Sequence, residues 1–315
     1  MSARTAQSQV QTPTRARSRR RRREGLQGYL WISPWLIGVL LFTVGPMLAS
    51  LFLSFTQYNI VASPRWIGAT NYINAFTKDR LFWGSLGRTL LFALISVPLS
   101  SIGSLGAALL LNRTWRGTSF FRACFFLPSL IPLVASALLW RWIFDPRLGL
   151  LNYILSLVGI KGPGWFSSAE WAMPGIIIMS LWGTIGGSQM LIFLAGLQGI
   201  PRELTEAAEV DGASRWRRLW AITLPMLSPT LFFNLVLGII GALKVFSVAY
   251  IATEGGPNYA TWFYLLHLYY QAFRFFEMGY ASALAWIFFA VVICFTILQV
   301  RLSKRWVYYE GAGRE

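Results

Sequence analysis

Six stretches of the chain run for at least 18 residues with little or no charge: within Leu30 to Leu53, Thr89 to Leu111, Ala123 to Trp140, Trp171 to Leu197, about Met226 to Thr253, and Met278 to Val300. About 20 helical residues at about 1.5 Å each cross a hydrocarbon core of about 30 Å, so each stretch predicts a transmembrane helix. The fifth contains Lys244, and its start is blurred because uncharged sequence already begins at Leu219. Pro46, Pro98, Pro128, Pro132, Gly183, Gly186 and Gly187 fall inside these stretches, where a bilayer tolerates them better than water does. The pattern predicts an all-α integral membrane protein with six transmembrane helices.

Composition agrees: 55% of the 315 residues are hydrophobic, 13% are charged, and the mean hydropathy is +0.52, more apolar surface than one soluble core of this length buries. The net charge of +16 would fit nucleic acid in a soluble protein, but its distribution argues otherwise. With the N-terminal tail inside, the segments on that side are the tail, 112–122, 198–225 and the C-terminus. They hold eight, three, four and four basic residues, nineteen of the 28 Lys and Arg. That bias is the positive-inside rule, so both termini are expected in the cytoplasm, and the Arg-rich tail orients the first helix instead of binding nucleic acid. The segments 54–88, 141–170 and 254–277 are then short outer caps rich in Trp, Tyr and Pro. The expected organisation is a basic tail over 1–28, a first helix and outer loop over 29–87, a five-helix core over 88–303, and a cytoplasmic C-terminus over 304–315. A cleaved signal peptide fits poorly, because the first apolar run is too long and no small-residue cleavage site follows it.

Candidate chemistry is sparse. Cys124 and Cys294 lie in apolar runs and read as buried thiols without a disulfide framework. His267 stands alone, and no metal-ligand spacing accompanies it. No Lys is followed by Ser or Thr, which excludes a GxxxxGK[ST] phosphate loop, so this chain does not bind ATP in that way. Neither a cofactor nor a metal is expected. An enzyme site assembled outside from Asp145, Glu170, Glu254 and His267 would have nothing to fix those residues together, and Glu254 and His267 read more simply as outer-surface residues.

The most informative polar segment is EAAEVDGASRWRRLWAITLP, residues 206 to 225, in the longest internal cytoplasmic loop. Pro201 suits a helix start, Gly212 the position just past its end, and Ser214 the cap of a second helix that enters the membrane. On the first helix Leu204, Ala208 and Asp211 share a face, with Ala207 beside them. Small side chains there allow close approach to another surface, and Glu203, Glu206 and Glu209 give charged edges. From the residues alone, a docking plug and an interfacial helix on anionic headgroups both remain open.

The spacing Glu206-Ala207-Ala208, then Gly212, then nine residues, then Ile222-x-Leu224-Pro225 resembles the EAA loop of permease subunits of binding-protein-dependent ABC importers. The stretches FFLPSLIPLVASALLWRWIFDPRLGLLNYIL (125–155), TEGGPNYAT (253–261) and GYASA (279–283) resemble the carbohydrate-uptake branch, specifically its maltose-type first permease. The likeness runs from about Leu30 to Lys304, although residues 54–88 are too few for the large outer domain of some maltose permeases. It implies a type I ABC importer permease fold in a prokaryotic cytoplasmic membrane. It also implies a coupling helix carried by Glu206, Ala207, Ala208, Asp211 and Gly212, two cytoplasmic ATPase subunits, a second permease chain and an extracytoplasmic sugar-binding protein.

A sugar crossing hydrocarbon must exchange water hydrogen bonds for protein ones, so polar and aromatic groups inside spans are pathway candidates. Trp182, Ser188, Gln189, Asn234, Lys244 and Ser247 are those candidates in the fourth and fifth stretches. Lys244 also reads as a gate pair with an acid from a partner chain or as snorkelling to the outer interface, and Gln189 and Asn234 as interhelical hydrogen bonds. The rival function, an ATP-independent secondary transporter, would predict inverted repeats or a series of intramembrane charges and gives the EAA spacing no role.

Overall fold

A computed structural model describes Gln27, residues 29–113 and residues 116–308. Apart from Gln27, the expected basic tail lies outside the described residues, as does the C-terminus from residue 309. The chain divides into two compact units, one ending at Leu53 and one beginning at Ser54. Helix α1, Tyr29–Ser54, supplies the described part of the first. It widens into a π turn at Leu40–Val44, and the Gly45 N–H bonds the carbonyl of Leu40, five residues back. Pro46 follows at once, and a proline ring crowds the carbonyl four residues before it, which a wider turn accommodates.

The second unit opens with a departure from all-helical structure: two residues of β1 (Thr56–Gln57) pair antiparallel with β2 (Arg65–Trp66), Thr56 opposite Trp66. Helices follow: α2 (Thr70–Thr77), α3 (Phe82–Leu111), α4 (Thr118–Leu130), α5 (Leu133–Ile143), α6 (Leu150–Leu157), α7 (Ala169–Ile185), α8 (Ser188–Gln198) and α9 (Arg202–Val210). The remainder are α10 (Arg215–Leu243), α11 (Ser247–Ala252), α12 (Tyr264–Tyr269) and α13 (Met278–Ser303).

Among the described residues four helices, α1, α3, α10 and α13, are long and apolar enough to cross a membrane unbroken. The other two expected spans are bent pairs, which brings the total to six if each pair is one span. The third bends by 95° between α4 and α5. Ile131 there is extended, with ψ 128°, because Pro132 crowds a helical conformation at the residue before it and has no N–H to continue the ladder. The fourth bends by 43° at Gly186-Gly187. The fifth is displaced from its expected bounds: α10 starts at Arg215 and stops at Leu243, so Lys244 sits at a helix end and not within a span. Helix α3 begins seven residues before Thr89 and takes in Arg88. Cys124 and Cys294 are free but exposed, not buried.

Helix α3 is the axis of the second unit. Its buried positions include Ser85, Thr89, Ala93, Ser96, Ser100, Ser104 and Ala108, small residues three or four apart that let neighbouring backbones come close. Toward one end Ala107, Ala108 and Leu111 pack with Met190, Phe193, Leu194 and Leu197 of α8 and Leu227 of α10. Toward the other, Phe92 joins Ile176 and Ile177 of α7, Ala249 of α11 and Phe263 and Leu266 by α12. A third cluster unites Phe82 and Ala93 with Leu243, Tyr264, Leu284 and Phe288.

Candidate functional site

The loop between α8 and α10 has the helix, glycine turn, helix form read from the sequence. Pro201 is extended (ψ 130°) and caps α9 one position before its first residue. At the other end Asp211 is the residue that closes α9, its N–H still bonded to the Ala207 carbonyl at 3.0 Å. Gly212 has φ +73°, its N–H bonds the Glu209 carbonyl at 3.0 Å, and the Ala213 N–H bonds the Ala208 carbonyl at 2.9 Å. This pair of bonds is a Schellman stop, and the left-handed residue it requires favours glycine. Ser214 Oγ then accepts the Arg217 N–H at 3.3 Å and starts α10. An ion pair between Arg218 and Glu209 ties the two helices across the turn. No residue of α9 is buried, and Glu206, Ala207 and Gly212 all stand exposed.

The second feature is a cavity of about 550 Å³ among α3, α4, α5, α7, α8, α10 and α11. Five of the six pathway candidates line it: Ser188, Gln189, Asn234, Lys244 and Ser247. Trp182 is not among them, and its indole packs edge-on to Trp140 at 5.7 Å between ring centroids. The Gln189 amide is held at both ends, Oε1 accepting from Ser104 at 3.1 Å and Nε2 donating to Ser101 at 3.2 Å. That is the interhelical tie of the two readings open to it. Asn234 is 2% exposed and its Nδ2 has no partner. Hydroxyls that the sequence reading passed over complete the lining: Ser96 and Ser100 of α3, Ser129 of α4, Ser180 and Thr184 of α7. The recurrence of Ser at 96, 100 and 104 was the signal available for them.

A third cluster overturns the surface reading of His267, which is 1% exposed. Trp262 Nε1 donates to His267 Nδ1 at 3.2 Å, and His267 Nε2 lies 2.7 Å from Asp79 Oδ2. Because an indole N–H only donates, Nδ1 is the acceptor and Nε2 carries the proton toward the carboxylate. Tyr280 Oη donates to the same Asp79 oxygen at 2.6 Å, and the Leu81 N–H reaches Oδ1 at 2.9 Å. The network joins the turn before α3, helix α12 and helix α13. Burial pushes the Asp79 carboxyl up, but the bonds from His267, Tyr280 and Leu81 outweigh it and bring it from 3.8 down to about 2. A carboxyl depressed on folding stabilises the fold above its unfolded value and loses that contribution as pH falls through the folded one. Thermal unfolding of the purified protein between pH 7 and pH 2 is therefore expected to show a fall in stability below about pH 4 that Asp79→Asn removes.

The turn segments that follow α5 and α11 are likewise fixed by single polar side chains. Asn152 donates to the carbonyls of Pro146 (3.3 Å) and Pro163 (3.1 Å) and accepts from Trp165 Nε1 (2.8 Å), closing 145–165 into one turn structure. In TEGGP, Thr253 and the buried Thr261 share a hydroxyl bond at 2.7 Å, and Thr261 donates to the Gly256 carbonyl. Gly255 has φ +82°, and a Cβ there would run against the ring of Trp262.

Residues 100–308 match the profile of the binding-protein-dependent transport system inner membrane component family. The chain is 46% identical over 293 residues to the probable ABC transporter permease protein YesP of Bacillus subtilis, spanning 92% of this chain and 94% of that one. It is 35% identical to the trehalose/maltose transport system permease protein MalF of Thermococcus litoralis, over 90% of this chain and 95% of that one. In solved structures its fold is similar to a chain of a bacterial alginate ABC transporter in complex with alginate pentasaccharide-bound periplasmic protein. The TM-score is 0.80 at 23% identity, covering 90% of this chain and 96% of that one.

Proposed function

Because the chain belongs to the family of binding-protein-dependent transport inner membrane components, we propose that it forms half of the pathway of an ATP-driven importer for a sugar or oligosaccharide. The observation that carries this reading is a hydroxyl-lined cavity between the spans together with an unburied helix, α9, that ends in a rigid glycine stop. The cavity offers a sugar what water would otherwise supply: a row of oxygen acceptors, amide groups, and the aromatic face of Phe246, which stacks on Tyr250 at 5.5 Å.

In this reading α9 lies in the cytoplasm and seats in a separate ATPase subunit through Glu206, Ala207, Ala208, Asp211 and Gly212. The Arg218–Glu209 pair makes α9 and the start of α10 move together, so closure of two ATPase subunits is passed to α10, whose far half lines the cavity through Asn234, with Lys244 just past its end. A second permease chain supplies the other half of the pathway, and a sugar-binding protein delivers cargo from outside. Both termini lie in the cytoplasm. Within the cavity Ser188, Asn234, Lys244 and Ser247 meet the cargo, whereas Gln189 holds α8 to α3.

Purification of the tagged chain from its native membrane in mild detergent tests the reading. An ATPase, a second permease and a binding protein are expected to accompany it, and the complex in liposomes is expected to accumulate sugar only with ATP. A chain that comes alone and moves solute without ATP would instead be a secondary transporter.

A further inference from the structure

Resting on that importer reading, we infer that the cargo is an anionic sugar, one bearing a carboxylate, sulfonate or phosphate, and that Lys244 receives its charge. Among the described residues Lys244 is the only charged side chain lining the cavity. Among the described residues no carboxylate pairs with it, and its side chain is exposed to the open space. A lone cation on a wall of otherwise neutral groups attracts an opposite charge that enters the cavity. The carbonyls at the end of α10 offset this only in part, since a helix terminus contributes a fractional charge. An anion brought by the cargo would complete the compensation.

The rest of the lining divides donors from acceptors in the same sense. Ser100, Ser129 and Thr184 donate their hydroxyl protons to carbonyls of their own helices at 3.0, 2.7 and 2.7 Å. What they present to the cavity is lone pairs, the complement of sugar hydroxyls. Among the lining groups of the described residues, the Lys244 ammonium and the buried Asn234 Nδ2 are two nitrogen donors without a partner, ten residues apart on and just past α10, about 15 Å along the helix axis. The Asn234 side chain lines the cavity with Lys244, and an oxygen-rich ligand longer than one sugar ring spans the distance between the two residues.

The test uses the intact importer in proteoliposomes with its binding protein. It is offered an equimolar mixture of disaccharides bearing a uronate, sulfonate or phosphate and of neutral disaccharides with the same rings, and the lumen is read by mass spectrometry. Anionic species are expected to exceed neutral ones at least tenfold, and which anionic group dominates identifies the source. Lys244→Met is expected to lower anionic uptake at least tenfold more than neutral uptake, with Lys244→Arg retaining most of the anionic uptake. Asn234→Asp, isosteric and adding a negative charge, is expected to act in the same direction and guards against a folding defect in the lysine variant. Neutral sugar dominating the lumen overturns the inference while the importer reading stands. Equal loss of both classes in Lys244→Met overturns it too, and makes Lys244 a gate or packing residue. No ATP-dependent uptake of any sugar removes the importer reading itself.

Discussion

Glu206→Lys is expected to leave the chain folded in the membrane while abolishing sugar-stimulated ATP hydrolysis and uptake in the assembled importer. Glu206 is exposed, and among the described residues it makes no ion pair, so reversing its charge disturbs nothing within the chain. Against a basic partner surface, the complement of Glu206, the same change would place like charges together, which costs several kcal/mol, on the order of a hundredfold in coupling. Gly212→Trp is expected to act by a different route. A Cβ at Gly212 meets nothing within 4 Å, so space is not the obstacle. The φ of +73° is, because a residue other than glycine gives up about 1–2 kcal/mol there, and the Schellman bonds that terminate α9 loosen. Both variants are compared with wild type by membrane content, ATP hydrolysis with loaded binding protein, and uptake. Normal stimulated hydrolysis in both would remove the coupling role assigned to α9.

The largest loss of stability is expected from Gly186→Val. A Cβ at Gly186 would overlap the backbone carbonyl of Phe125 on α4, and a backbone atom has no rotamer in which to escape. The φ of −89° is open to any residue, so the effect is purely steric. Helix α4 or the break between α7 and α8 must move, and overpacking of this kind costs about 1–3 kcal/mol or more. Since Gly183, Thr184 and Gly187 line the cavity beside this break, uptake is expected to fall together with thermal stability. Gly183→Ala is the control: it lies three residues earlier on the same cavity wall with nothing within 4 Å of its Cβ, and its unfolding temperature is expected to stay near wild type. Equal melting of both variants would show that the contact with Phe125 yields more easily than its geometry states.

Periodicity and length carried the spans because a bilayer forces the backbone to bond within each segment, so apolar runs and helices nearly coincide. The α9 stop was legible for a local reason: Gly at C′ and Ser at the next N-cap act on hydrogen bonds a few residues away. The breaks were less legible. Pro128 and Pro132 were visible, but a proline inside a span kinks it or ends it according to what neighbouring helices can satisfy, and here the result is a 95° turn. The end of α10 at Leu243 was hidden for a related reason, since Lys244 interrupts no apolar pattern strongly enough to place a boundary.

His267 shows most clearly what sequence reading lacked. One histidine among aromatic residues gave no sign of a partner 188 positions away, and only the packing of α12 against the turn before α3 brings Asp79 to 2.7 Å. The same holds for Gln189 and Asn234, two amides indistinguishable along the chain. One is bound by Ser101 and Ser104, while the other has an Nδ2 with no partner. By itself the sequence determined the membrane class, the helical spans and the helix–glycine–helix form of the loop before α10, because each depends on interactions within about 20 residues. The tertiary structure alone decided which spans break, which polar groups satisfy one another and which remain turned to the cavity, because hydrogen bonds and steric overlap between distant segments are set by where the helices pack.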